Sequence, residues 1–88
     1  MRRDLNAYRK RIDGVDRRIV RLLKKRFDLV RAVGDIKREG GFAVVQPERE
    51  AEVLERIAGG RLKREVREFL TSVYRAVFRA SCRVEEEQ

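Results

Sequence analysis

The chain has 88 residues, and 23 lysines and arginines against 15 aspartates and glutamates give it a net charge of +8. Charged residues make up 43% and hydrophobic residues 42% of the sequence, which excludes a membrane protein and is too apolar for a disordered chain. Because there is no histidine and only one cysteine, a zinc site, a Ser-His-Asp triad and a Cys-His pair are excluded as well.

The first predicted helix carries apolar residues at alternating steps of three and four from residue 5 to residue 36. Asp4 is a suitable N-cap, and Gly40-Gly41 supplies the backbone freedom that ends a helix. Leu23 and Val30 widen the apolar stripe, so we expect more than one helix to pack on it. The heptad residues are Leu5, Tyr8, Ile12, Val15, Ile19, Leu22, Leu29, Val33 and Ile36.

Two shorter helices are predicted in the second half of the chain. The segment 42–46 is too short and isolated for a sheet and is predicted to be a loop. Pro47 is well placed as the first residue of a second helix, which ends at Gly59-Gly60. A third helix is predicted to begin near Leu62 and to fade into a polar tail from Glu85. The predicted fold is all-α, with a long, a short and a medium helix in a single domain over residues 1–88.

The length of the first helix predicts a second copy of the chain. About 34 helical residues span roughly 50 Å, whereas a compact globule of this chain length has a diameter of about 30 Å. The protruding half of the helix still carries the apolar stripe, which needs cover. Antiparallel pairing of two long helices, with residues exchanged between subunits, gives that cover most simply. We therefore expect an intertwined helical homodimer.

Polar residues interrupt the predicted apolar faces at a few positions. Arg26 occupies a heptad position, and Lys37 lies three helical turns further on, nearly on the same face. Ser81 and Glu85 continue the stripe of the third helix. Gln46 occupies the N-cap position before Pro47 although glutamine is a poor cap.

Each interruption also has a purely structural interpretation. Arg26 could form a buried ion pair or extend to the edge of the seam, and Ser81 could mark the end of a helix that is turning polar. Arg49 and Glu50 would ordinarily be surface charges in a first helical turn. Spacing alone predicts a helical dimer with a cationic pocket and no particular reaction.

Five short motifs follow one another along the chain. They are the run Tyr-Arg-Lys-Arg-Ile-Asp-Gly-Val-Asp at 8–16, Leu22-Leu23-x-x-Arg26, Val33-Gly34-x-x-Lys37, Pro47-x-Arg49-Glu50, and Ser81. In this order they resemble the motifs of the all-helical chorismate mutases of the bacterial AroQ type. The resemblance covers nearly the whole chain, and it implies an intertwined dimer with two equivalent active sites that rearranges chorismate to prephenate without a metal or a cofactor.

The resemblance also implies a role for each matching residue. Arg9 of the partner subunit would bind one substrate carboxylate, and Arg26 would bind the other. Lys37 would contact the ether oxygen and a carboxylate. Arg49 would be an arginine of the pocket, and Glu50 would accept a hydrogen bond from the ring hydroxyl. Ser81 would line the site.

Two positions depart from the pattern of the family. Gln46 stands where the family commonly has aspartate, and we include it among the substrate-binding candidates. Glu85 stands where the bacterial pattern has a glutamine that donates to the ether oxygen. Only a protonated carboxylic acid can donate that hydrogen bond, so turnover is expected to fall as the pH rises and Glu85 loses its proton.

Other functions remain open from the sequence. An isochorismate pyruvate lyase uses a similar fold, and a basic helical dimer that binds nucleic acid would also explain the charge. Against nucleic acid, the chain has no recognition motif or set of stacking aromatics, and the decisive cations lie on apolar faces. A purely structural dimerisation module is a further alternative, which Arg26 disfavours. No apolar run follows Met1, so we expect no signal peptide or membrane segment, and the single Cys82 fits the cytoplasm.

Overall fold

The computed structural model describes residues 4–87, which form three α-helices and no strand. Helix α1 covers Leu5–Gly40, α2 covers Pro47–Ala58 and α3 covers Arg64–Glu86. The predicted all-α fold with a long, a short and a medium helix is confirmed, and residues 42–46 form the predicted loop. The predicted start of the third helix near residue 62 is wrong by about one half-turn.

Both ends of α1 are fixed by local chemistry. The side chain of Asp4 accepts hydrogen bonds from the backbone N–H groups of Asn6 and Ala7, at 3.0 and 3.3 Å, as an N-cap does. At the other end Gly41 takes a left-handed conformation with φ 71°. The backbone N–H of Phe42 then reaches back 2.8 Å to the carbonyl of Lys37. This cap turns the chain sharply and directs the following loop along the end of α1.

The connection between α2 and α3 explains why α3 begins at Arg64. Gly60 is left-handed with φ 78°, and Lys63 is still extended at φ −60° and ψ 146°. The guanidinium of Arg67 donates to the carbonyls of Gly60 and Leu62, at 3.3 and 3.1 Å, which holds this turn outside the helix. The backbone carbonyls of the turn are thus satisfied by a side chain from the first turn of α3.

Helix α3 lies between the other two helices. It packs against both α1 and α2, which do not pack on one another. The buried core is small and includes Ala58 and Phe78, with the ring of Tyr74 edge-on to Phe78 at 5.8 Å between centroids. Gly34 and Glu85 are also buried. Since Glu85 is charged, its burial needs a compensating partner.

The single chain is elongated. Its Cα radius of gyration is 16.6 Å and its extents are 60 × 27 × 14 Å, whereas a compact chain of this length has a radius of gyration near 12 Å. All the heptad residues of α1 that were predicted to form a helix seam are 42–64% exposed. The side-chain contacts of α1 with α3 include those of Arg26 with Ser81 and of Lys37 with Glu85, and the seam stays largely exposed within residues 4–87. None of the described helices has an apolar stretch long enough to cross a bilayer.

Candidate active site

A cleft of ≈ 290 Å³ opens between the C-terminal half of α1, the first turns of α2 and the C-terminal half of α3. Each helix contributes residues at the spacing i, i+3, i+4 and i+7, which places side chains on one helical face. The polar residues of the lining are Arg26, Lys37, Gln46, Arg49, Glu50, Ser81, Cys82 and Glu85. The structure thus brings together seven of the eight residues that were predicted to form the site.

Arg26 enters the cleft half-buried from α1. Its Nη1 donates a hydrogen bond to Ser81 Oγ on α3, and Ser81 Oγ in turn donates to the carbonyl of Val77 at 2.8 Å. Within residues 4–87 no carboxylate forms an ion pair with Arg26. The interpretation of Arg26 as half of an ion pair within the chain is therefore wrong, and its positive charge is oriented by a neutral hydroxyl.

Lys37 has a different environment from Arg26. Its Nζ lies 2.5 Å from Glu85 Oε1 on α3 and 2.8 Å from the carbonyl oxygen of Val44 in the loop. The two charged side chains are 15% and 8% exposed, so the pair is largely removed from water. An ammonium has three N–H donors, which leaves one of them for a ligand in the cleft.

The first turns of α2 form the third wall. Gln46 and Glu50 are half-buried, and Gln46 makes no side-chain hydrogen bond to the helix N-terminus, so it fails as a cap and faces the cleft instead. Arg49 lies at the exposed rim, where its Nη1 is 2.6 Å from Glu52 Oε1. Arg56 contacts the same carboxylate oxygen at 2.8 Å. The α2 wall therefore offers an amide and a carboxylate inside and an arginine at the entrance.

Arg9 is the predicted site residue that the chain does not bring to its own cleft. It is exposed on α1 and precedes Arg26 by 17 residues, a distance of about 25 Å along a helix. An arginine side chain is far too short to span that distance. Within one chain Arg9 and the cleft are separate.

Several cleft residues were not predicted from the sequence. Val53, Phe78 and Cys82 line the walls, and their spacing from Arg49, Ser81 and Glu85 on the same helical faces would have identified them. The carbonyl of Val44 had no such signal, because a backbone oxygen leaves no mark on the sequence.

The charges and burial of the cleft affect the pKa of the Cys82 thiol. Burial raises the pKa of Cys82, the carboxylates of Glu50 and Glu85 raise it further, and Lys37 opposes them. The cleft holds three cationic and two anionic side chains, a net of one positive charge. Within residues 4–87 no group of three or more Asp, Glu, His or Cys side chains is arranged to hold a metal ion.

An apolar groove of ≈ 510 Å³ runs beside the cleft, between α1 and α3. Arg26 and Ser81 line both the cleft and the groove, so their hydrogen bond forms the boundary between the two. Any helix that filled the groove would contact the site at this pair. The apolar lining consists of Leu23, Phe27, Val30, Val73, Ala76, Val77, Ala80 and Val84.

A helical chain with a cleft of converging arginine and lysine side chains defines a class of protein that binds small anions. Residues 8–86 match the family model described as chorismate mutase type II. The chain belongs to this family.

The relatives are consistent with the family. A bifunctional chorismate mutase/prephenate dehydratase from Aquifex aeolicus is 36% identical over 89 aligned positions, which cover 94% of this chain and 24% of that protein. A chorismate mutase from Methanocaldococcus jannaschii is 38% identical over 60% of this chain and 54% of its own length. The chain thus spans about a quarter of the Aquifex protein and about half of the Methanocaldococcus one.

Among solved structures, chorismate mutase form II from Thermus thermophilus superposes with a TM-score of 0.86. It is 33% identical, and the match covers 96% of both chains.

Proposed function

We propose that residues 1–88 form a single chorismate mutase domain that rearranges chorismate to prephenate, on the route to phenylalanine and tyrosine. The observation that carries this proposal is the convergence of Arg26 and Lys37 from α1 with Ser81 and Glu85 from α3 in one half-buried cleft. The family to which the chain belongs, and the chorismate mutases among its relatives, support the same reaction.

This reaction suits a site of cations and hydrogen-bond donors. The rearrangement is intramolecular, so it needs no nucleophile and no obligatory proton transfer. It is accelerated when the enolpyruvyl side chain is held over the ring and when negative charge on the ether oxygen is stabilised. Restriction of the substrate's conformation and electrostatic stabilisation are therefore the two contributions that these side chains make.

In the proposed complex each cation binds a different group of the substrate. Arg26 binds one carboxylate through its unused N–H groups, since a planar guanidinium matches a carboxylate bidentately. The remaining N–H of Lys37 is directed at the ether oxygen and a neighbouring carboxylate oxygen. Glu50 accepts from the ring hydroxyl. Gln46, Arg49 and Ser81 complete the walls around the bound ring.

We propose further that two chains form an intertwined homodimer and share each site. The exposed heptad seam of α1 and the apolar groove beside the cleft are the surfaces that need cover, and burying one large aliphatic side chain contributes about 1.5–3 kcal/mol. The N-terminal half of the partner's α1 is the occupant that carries matching apolar residues. It would bring the partner subunit's Arg9 to the boundary formed by Arg26 and Ser81.

Charge supports the shared site. One chain provides a cleft with a net of one positive charge, whereas chorismate carries two carboxylates. The partner subunit's Arg9 supplies the second net positive charge, so the complete cleft matches its ligand. We also propose a cytoplasmic location, which the single free thiol of Cys82 supports.

The proposal is tested by following loss of chorismate by absorbance and identifying the product. Arg26→Ala is expected to lower kcat/KM by at least about 100-fold, the effect of removing a donor that stabilises a transition state. Lys25→Ala is the matched control, because Lys25 is the adjacent exposed cation and does not line the cleft; it should leave kcat/KM unchanged. Release of free pyruvate in place of prephenate would establish the lyase alternative.

A further inference from the structure

A second group of cations lies on the N-terminal half of α1, away from the cleft. Four arginines line a surface pocket of ≈ 420 Å³ together with Gly14 and Val15, and we call it the arginine pocket. Gly14 lies at its centre, because residues three, four and seven positions apart along a helix share one face. The four arginines are Arg11, Arg17, Arg18 and Arg21.

These guanidinium groups have no anionic partner within residues 4–87. None of them forms an ion pair with a carboxylate, and Arg11 instead lies 5.8 Å from the centroid of the Tyr8 ring. Asp13 and Asp16 are close in sequence, but the turn of the helix directs them to other faces. Like charges at this spacing repel one another and destabilise a helix. A bound anion would offset that repulsion.

Gly14 leaves the floor of the arginine pocket open. Glycine weakens the interior of a helix. Within residues 4–87, a Cβ at this position would meet only Arg17 Nη2, at an ordinary contact distance of 3.6 Å. The packing of the chain therefore does not require glycine here. The missing side chain does allow a ligand to approach the helix backbone between the guanidinium groups.

The arginine pocket is separate from the cleft. Gly14 precedes Arg26 by 12 residues, which is about 18 Å along the helix. It follows Arg9 by five residues, which is a rotation of about 140° around the helix axis. In the proposed homodimer Arg9 is directed to the cleft of the partner subunit, so Gly14 faces away from that cleft.

We propose that the arginine pocket binds the phosphate chain of a diphosphate or triphosphate. A planar guanidinium binds phosphate oxygens bidentately. Each phosphate group carries about one to two negative charges near neutral pH, so two or three linked groups match the four guanidinium charges of the pocket. A dicarboxylate would leave part of the positive charge without a partner. The phosphate chain lies over Gly14, with arginines on both sides of it.

The shape of the pocket is tested by calorimetric titration of the full-length protein with tripolyphosphate. The buffer contains about 0.15 M salt, which largely screens exposed charges more than about 8 Å apart. We expect the wild type to bind a single ligand per chain. Gly14→Gln should raise the Kd at least about tenfold, because its side chain fills the pocket and leaves the net charge unchanged. Ala32→Gln is the matched control, since Ala32 is exposed about five turns further along the same face, and it should leave the Kd unchanged.

The charge of the pocket is tested with a second pair of variants. Arg18→Gln should raise the Kd about tenfold, the effect of losing one charged hydrogen-bond donor. Arg31→Gln removes the same charge from α1 outside the pocket and should bind as the wild type does. Arg26→Ala should also retain binding, because Arg26 belongs to the cleft.

The phosphate site does not depend on the proposed function. Gly14→Gln and Arg18→Gln should turn over chorismate at the wild-type rate, so loss of phosphate binding and loss of the reaction are distinguishable. Adenosine triphosphate distinguishes two sources of the same phosphate chain. Binding tighter than that of tripolyphosphate identifies a nucleotide as the ligand, and equal or weaker binding identifies a free polyphosphate.

No binding of tripolyphosphate by the wild type overturns the proposal. An equal Kd for the wild type and Gly14→Gln overturns it as well, because it would show attraction to diffuse charge and not to a pocket. If Gly14→Gln fails to fold, the other pair decides: equal weakening by Arg18→Gln and Arg31→Gln has the same meaning. Duplex DNA that binds more tightly than tripolyphosphate, and equally to the wild type and Gly14→Gln, also contradicts the phosphate-chain site.

Discussion

At the scale of single residues, the two main cations of the cleft have unlike partners. Arg26 is oriented by the neutral hydroxyl of Ser81, and no carboxylate within residues 4–87 forms an ion pair with it. Lys37 is neutralised within the chain by Glu85. In the proposed complex, a dicarboxylate would therefore meet Arg26 as a cation without an ion pair and Lys37 as a cation already paired with Glu85.

The thiol of Cys82 reports on the same surroundings. Because burial and then Glu50 and Glu85 raise its pKa, the reactive thiolate forms at a higher pH in the folded protein than in the unfolded chain. We predict that the rate of alkylation by iodoacetamide, followed by mass spectrometry, rises with pH at a higher midpoint in the folded protein than in denaturant. A bicyclic dicarboxylate that mimics the transition state should lower the alkylation rate of the folded protein when it occupies the cleft.

The pH midpoint of alkylation distinguishes a raised pKa of Cys82 from simple steric shielding of the thiol. Shielding would lower the alkylation rate by the same factor at every pH. Folded and unfolded protein with the same midpoint would contradict the prediction. Glu85→Gln provides a second check, since removing one neighbouring carboxylate should move the midpoint of Cys82 down.

Helical spacing, which is local, indicated that Arg26 and Lys37 share one face of α1, whereas the other polar residues of the cleft were predicted from the resemblance to the family. Arg26 and Lys37 lie eleven residues apart, which is three turns, and both reach the same cleft. Ser81 and Glu85 follow the same rule on α3. The sequence could not predict that Lys37 would pair with Glu85, because that contact depends on how α1 and α3 pack. It also could not place Arg9, because its proposed position beside a cleft depends on a second chain.

At the scale of helices, the ends are predictable where one residue determines them. Asp4 caps α1 through its own side chain, and Gly41 ends α1 through its own backbone conformation. The start of α3 was misplaced because it depends on Arg67, seven residues after the left-handed Gly60 whose carbonyl it holds. A contact between a side chain and a carbonyl seven residues earlier has no signature in the local sequence.

Gly41 is the position of the α1 end where a substitution tests backbone conformation alone. A Cβ built at Gly41 meets nothing within 4 Å, so any cost of a side chain comes from its left-handed φ of 71° and not from a clash. Gly41→Ala should lower the free energy of unfolding by about 1–2 kcal/mol, measured from the denaturant midpoint at a fixed protein concentration. Gly41→Asn is the matched control, because asparagine tolerates this conformation better, and it should cost less. Equal losses for both substitutions would show that the cost is not conformational.

At the scale of the whole molecule, the single chain leaves most of α1 without a partner. Its predicted seam is 42–64% exposed along its full length, and the groove beside the cleft is open. A seam at this spacing is typical of a helix pair, and the elongated shape of 60 × 27 × 14 Å is consistent with the proposed homodimer. In the proposed homodimer, the partner's α1 would complete both the core and the site.

The proposed sharing of sites can be tested by mixing two inactive variants. Arg9→Ala and Arg26→Ala homodimers should each be nearly inactive, because every site in them lacks one arginine. A heterodimer joins an intact Arg26 from one chain to an intact Arg9 from the other in one of its two sites, and its second site lacks both. Since random exchange makes half the dimers mixed, activity should recover to about a quarter of the wild-type value.

The control keeps both substitutions on one chain. The Arg9→Ala/Arg26→Ala double variant, mixed with either single variant, cannot form an intact site and should show no recovery. Subunit exchange is verified by native mass spectrometry with one variant carrying a mass label. A lack of restored activity can then not be attributed to a failure of exchange. If heterodimers form and activity does not return, Arg9 does not act across the interface. The separation of about 25 Å between Arg9 and Arg26 along α1 would then exclude Arg9 from the site altogether.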